Sequence, residues 1–166
     1  MGTTRLVSRR RQDSGAKWAR IAMAVLATAG LIDTGSITLK RWGLLGNLTC
    51  PMGADGCDKV LNSAWGTVFA GIPLSMVGVL AYGAVLLMAL LPLLPGLQEN
   101  KSDLSRRTWW GLFTVSLAMA VFSGVLLGVM LLKIQAFCFF CVLSAGLSLA
   151  LLVPVSYTHL TLPTKA

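Results

Sequence analysis

Residues Val60 to Gln98 read VLNSAWGTVFAGIPLSMVGVLAYGAVLLMALLPLLPGLQ, 39 residues without one charged side chain. A helix needs about 20 mainly apolar residues to cross the hydrocarbon core of a bilayer. This run therefore holds a membrane span, with its helix predicted from about Trp65 to Leu94. Pro73, Pro92 and Pro95 bend or end it, because proline has no backbone N–H and its ring clashes with the preceding turn. Downstream, Thr108 to Leu132 is a second uncharged run of spanning length. Phe137 to Val153 is a third, at the short end of the range. Upstream, Trp18 to Leu39 is read as a span although it contains Arg20 and Asp33, because Ile21 to Ile32 is uninterrupted by charge.

The whole composition agrees with that reading. Of 166 residues, 55% are hydrophobic and 12% charged, and the mean hydropathy is +0.76. Soluble domains carry about 25% charged residues. A water-soluble enzyme and a disordered chain are both excluded, the second because such chains are poor in apolar residues. The expected fold is an all-α membrane protein, a single four-transmembrane-helix bundle. A cleaved secretory signal is the competing reading of the first segment, with its basic start, apolar core and Ala27-Thr28-Ala29 pattern.

The net charge of +8 does not point to nucleic acid. The excess sits mainly at Arg5, Arg9, Arg10, Arg11, Lys17 and Arg20, and no aromatic residues interleave with it. Residues 1–17 read instead as a basic cytoplasmic tail. With four spans, that tail shares a side with the loop Pro95–Arg107. Together they hold nine Lys and Arg, against four (Lys40, Arg41, Lys59, Lys133) on the other side. Positive charge stays cytoplasmic, so the N-terminus is expected inside. All five Trp fall near predicted span ends, where an aromatic belt forms.

Val155 to Thr164 read VSYTHLTLPT, the translation of a transposase sequencing adapter. Residues 154–166 are therefore expected to be a non-native tail and 18–153 the membrane domain. On this reading the natural protein continues past residue 153, and the lone His159 belongs to the adapter.

The four cysteines fall on one side of this topology. Cys50 and Cys57 lie in the loop between spans one and two, and Cys138 and Cys141 open span four. The cytoplasmic segments have none, which suits an oxidising compartment outside. Pro51, Gly53 and Gly56 let the chain between the first two turn sharply, so they can meet. In Cys138-Phe139-Phe140-Cys141 the sulfurs are helical neighbours, and the partial positive charge of a helix start favours a thiolate. Two bland alternatives stay open: a stapling disulfide with two inert buried thiols, or an all-cysteine zinc site, for which the separation and membrane depth are poor. No metal site is expected.

With these residues in view, the sequence resembles the bacterial homologues of vitamin K epoxide reductase over about residues 18–153. The likeness rests on Cys50 and Cys57, Val60-Leu61-Asn62-Ser63-Ala64-Trp65-Gly66, Gly71-Ile72-Pro73-Leu74-Ser75 with Gly78 and Tyr82, and Cys138-Phe139-Phe140-Cys141. It implies a four-helix bundle around a quinone pocket in the bacterial inner membrane, with the cysteines at the periplasmic face. It also implies a quinone-dependent thiol-disulfide oxidoreductase that supports disulfide formation. A thioredoxin-like partner, or a lost fused thioredoxin-like domain, would reduce the Cys50–Cys57 disulfide. That pair would reduce Cys138–Cys141, and the CxxC would pass electrons to the membrane quinone pool. By carry-over Cys57 meets the partner, Cys50 attacks Cys138 and Cys141 faces the quinone. The quinone itself (ubiquinone, menaquinone, plastoquinone or phylloquinone) is not distinguished. Ser63 matches a family serine whose hydroxyl lies near the quinone oxygen; its alternative role is helix capping ahead of Trp65. Span two lacks the Asn of the animal enzymes, which argues against vitamin K epoxide as substrate.

Two further features carry expectations. Asp33 is an ionisable group within a span, a functional candidate by default, or else a residue that orients an exterior loop. Gly124-Val125-Leu126-Leu127-Gly128 is a GxxxG pattern, expected to pack within the molecule rather than between copies. The competing functional class is a soft-metal-ion transporter of mercuric type using paired thiols; a purely structural bundle is the third reading.

Overall fold

The computed structural model describes the backbone of residues 2–46, 54–68, 71–94 and 101–161, and the side chains of 14–46, 56–67, 71–94 and 105–157. Five α-helices account for most of it: α1 (Gly2–Arg41), α2 (Ala54–Leu61), α3 (Leu74–Leu90), α4 (Lys101–Val129) and α5 (Phe139–Thr161). Four helical segments are long and apolar enough to cross a membrane: Ser14–Arg41, Leu74–Leu93, Ser105–Ile134 and Phe139–Tyr157. They match the four spans read from the sequence. The fold is the all-α, four-helix membrane bundle expected.

The start of the second span differs from expectation. Its helix begins at Leu74, not Trp65. Ala64–Gly66 forms one 3₁₀ turn, and Thr67–Val68 (β1) pairs antiparallel with Ile72–Pro73 (β2). Pro73 occupies the N-cap position of α3 with extended backbone, φ −64° and ψ 135°. Proline can precede a helix but cannot sit inside one without removing a hydrogen bond. Gly71, at φ +83°, makes the turn before it. Hydropathy alone does not see either constraint. At the other end Pro92 falls in a 3₁₀ turn, Leu91–Leu93, that closes the span.

The four spans pack as a ring. Helix α1 packs along α3 and α5, and α4 closes the ring against α5 and α3. The core joins Met23 and Ala27 of α1, Tyr82, Val85 and Ala89 of α3, Leu112 of α4, and Leu151 and Val155 of α5. Lipid is as apolar as leucine, so close packing and interhelical hydrogen bonds must hold such helices together. Gly30 shows the packing: a Cβ there would run into the ring of Tyr82. The Tyr82 hydroxyl crosses to α5, donating to the Ser144 carbonyl at 2.8 Å and lying 3.1 Å from Ser148 Oγ. Four of the five Trp (Trp18, Trp42, Trp65 and Trp110) are exposed near span ends.

Arg20, counted above with the tail charges, is buried. Its guanidinium donates to the Met88 carbonyl (3.3 Å), Ser105 Oγ (3.2 Å) and Thr108 Oγ1 (3.3 Å), and lies 4.6 Å from the Trp109 ring centroid. It ties α1 to α3 and α4. The GxxxG expectation is corrected: a Cβ at Gly124 or Gly128 would meet no atom within 4 Å. The close helix crossing falls at Gly30 instead.

Candidate functional site

The end of α1, all of α2 and the start of α5 meet at one end of the bundle. Lys40 Nζ reaches Asp58 Oδ1 at 3.0 Å, and Arg41 donates to the Leu61 carbonyl. These contacts seat α2 across the end of α1. The exposed ion pair adds little stability but fixes position. Gly56 lies so close to the segment before α5 that a Cβ would strike the Phe137 carbonyl oxygen. This approach lets Cys57 reach α5.

Cys57 is disulfide-bonded and fully buried. It shares an apolar cluster with Met130 and Cys138, flanked by Val60, Leu127, Phe140 and Cys141. Cys50 lies outside the described residues. Cys138 and Cys141 are free thiols. The Val142 N–H donates to the Cys138 carbonyl at 3.1 Å, so Cys138 stands at the N-cap of α5 and Cys141 in its first turn. The chain reaches this cap abruptly. Helix α4 widens into a π turn at Met130–Ile134, and Gln135 reverses direction with left-handed backbone, φ 50°. That conformation is uncommon for a residue with a Cβ, and no glycine marks it in the sequence.

Below the cysteines the four spans, with the segment from Val60 to Gly66, line a partly open cavity of about 470 Å³. This lies within the 300–1,000 Å³ range of small-molecule sites. Its walls are mainly aliphatic and aromatic. Cys141 lines it, and so does Ser63. Ser63 precedes the 3₁₀ turn but makes no side-chain cap hydrogen bond. Its hydroxyl instead donates to the Val60 carbonyl at 2.7 Å.

A second polar patch escaped the sequence reading. Tyr82, Ser144, Ser148 and Ser123 all line the cavity. Their hydroxyls form a chain, Tyr82 to Ser148 at 3.1 Å and Ser123 to Ser148 at 3.3 Å. The serines sit on two helices at apolar-rich positions, and only their spacing along α5, one turn apart, could have flagged them.

The site thus sets a CxxC at the cap of a membrane helix, beside a buried cysteine and over a mainly apolar cavity. Residues 21–156 match the model of the vitamin K epoxide reductase family. The chain belongs to that family. Among curated relatives, the thiol-disulfide oxidoreductase LTO1 of Arabidopsis thaliana is 34% identical over 123 residues. The alignment covers 73% of this chain and 31% of that protein, so the chain spans about a third of its relative's length. Vitamin K epoxide reductase family enzymes use quinones in general.

Proposed function

We propose that this chain is a quinone-dependent thiol-disulfide oxidoreductase. One observation carries the proposal: Cys57 and Cys138 are buried in one cluster while Cys141, one helical turn on, lines the cavity. Sulfur exchange requires a thiolate, a reachable sulfur and a leaving thiol, and this cluster holds Cys57 of the loop pair beside Cys138 and Cys141.

Cys50 and Cys57 form the outer pair and Cys138 and Cys141 the inner one. A thioredoxin-like dithiol, on a separate protein or on further sequence, is oxidised by the outer disulfide. The outer dithiol then reduces the inner disulfide through a mixed disulfide of Cys50 with Cys138. Oxidation of the inner dithiol releases two electrons and two protons toward the cavity. A quinone supplies the acceptor for both. The cavity fits such a group: a mainly apolar wall suits its ring and tail, and Ser63 and the Tyr82–Ser148 hydroxyls offer polar contacts at the ring oxygens. Under the charge rule the N-terminus is cytoplasmic and the cysteines face outward. Residues 1–17 form the cytoplasmic tail and residues 154–166 the non-native tail, and the setting is the bacterial inner membrane.

The test is anaerobic reduction of a soluble ubiquinone or menaquinone analogue by a reduced thioredoxin-like protein, with the full chain in detergent. Wild type is expected to turn over. Cys141→Ala is expected to lower the rate at least about 1,000-fold, because no inner disulfide can form. A Cys141→Ala protein that still reduces quinone at the wild-type rate overturns the proposal.

A further inference from the structure

The cavity has two polar ends of unlike chemistry. Along α5 its wall runs from Cys141, in the first turn, to Ser148, two turns deeper or about 10 Å. The deep end holds the linked hydroxyls of Tyr82, Ser123 and Ser148. The end beneath α2 holds Ser63 and Arg41. Of all the residues lining the cavity, Arg41 is the only charged one. A hydroxyl both donates and accepts, whereas a guanidinium only donates and brings a full positive charge.

Arg41 is the last residue of α1 and donates to the carbonyl of Leu61, the last residue of α2. Among the described residues no carboxylate pairs with it; the ion pair at this end joins Lys40 to Asp58. A guanidinium carries five N–H donors in a fixed fork, so Arg41 keeps donors for a ligand. Both helices turn their C-terminal carbonyls toward this end, and such ends carry partial negative charge. Without Arg41 this end of the cavity would repel an anion. With it, a cation stands on a mainly apolar wall, where its field reaches further than in water.

We propose that Arg41 is the residue that favours negative charge on the oxygen of the acceptor as electrons reach it. The proposal rests on the oxidoreductase reading above. The balance of the step is unchanged: the Cys138–Cys141 bond forms, two S–H bonds break, and two electrons and two protons pass to the quinone, giving the quinol. Arg41 contributes no proton. An oxygen that gains electron density ahead of its proton is negative, and a cation already in place lowers the energy of that stage more than it lowers the energy of the neutral ligand.

The test needs no turnover. Lawsone is a hydroxynaphthoquinone that is anionic at neutral pH, and its methyl ether is a neutral ligand of nearly the same shape. Both are titrated by calorimetry into the oxidised full chain in detergent at low salt. Wild type is expected to bind the anion at least as tightly as the ether, although an apolar wall by itself favours the neutral ligand. Arg41→Gln is expected to weaken lawsone about 10-fold and the ether less than about 2-fold, the loss of one charge-assisted hydrogen bond. Arg41→Lys keeps the charge and is expected to recover most of the preference. Lys59→Gln removes an exposed cation of α2 that is not part of the cavity wall, and is expected to change either ligand by less than about 2-fold. In turnover, Arg41→Gln is expected to lower kcat about 10-fold with KM for a neutral quinone little changed, since the interaction is made as charge develops. An Arg41 that only holds α2 through Leu61 would affect both ligands alike, and that result overturns the proposal. Should Arg41→Gln fail to fold, a wild type that prefers the ether overturns it equally. If wild type reduces no quinone, the oxidoreductase reading fails, and the lawsone arms still judge Arg41 alone.

Discussion

Helix α1 buries two ionisable side chains and treats them in opposite ways. Arg20 meets a carbonyl, two hydroxyls and an indole face supplied by α3 and α4. Asp33, further along the same helix, meets no donor at all. Both are costly in an apolar medium. The difference is what each neighbourhood supplies. Around Arg20 the bundle offers acceptors from two other helices, and the charge becomes a three-helix tie. Around Asp33 it offers no donor. A fully partnered buried charge holds structure, whereas an unpartnered one adds only its cost of burial.

The sharpest way to break this contrast is at its structural pole. Arg20→Ala removes three charge-assisted hydrogen bonds and is expected to cost about 3 kcal/mol of stability, read as a lower unfolding temperature in detergent. Quinone reduction per folded molecule is expected to hold. At the unpartnered pole, Asp33→Asn is expected to leave stability unchanged or raise it by about 1 kcal/mol, since a neutral amide is cheaper to bury than an unpaired carboxylate. A large loss of stability there would make Asp33 a second Arg20. Between the poles, Tyr82→Phe deletes the hydroxyl that links α3 to α5. It is expected to cost about 1 kcal/mol and to weaken quinone binding several-fold, measured as a rise in KM for quinone with kcat little changed. The smallest effect belongs to Gly124→Ala. With no atom near its Cβ position, it is expected to stay within about 0.5 kcal/mol of wild type, and a larger loss would revive a packing role for the glycine pair.

Much of the site was legible before any coordinates. The loop-and-CxxC pattern named Cys57, Cys138 and Cys141, and charge asymmetry placed all of them at one end of the bundle. The structure joins Cys57 to Cys138 in one cluster and sets Cys141 and Ser63 on the cavity wall. Cys50 falls outside the described residues. Three features were not legible. Arg20 reads as one more tail cation, because its partners come from residues 88, 105, 108 and 109. The hydroxyl chain at Tyr82 reads as ordinary span residues, because its members are distant in sequence. The GxxxG pattern reads as a packing face, yet which small residue meets a neighbour depends on how the helices rotate.

From the sequence alone came the number of spans, their approximate limits and the single-sided distribution of sulfur. These follow from local composition, since each helix must satisfy its own backbone in lipid wherever its neighbours lie. Tertiary structure decided the rest: the close crossing at Gly30, the partnering of Arg20, the isolation of Asp33 and the cavity beneath Cys141. Each of these is a relation between helices, and lipid, equally apolar on every side, imposes no rotation on a helix until another helix packs against it.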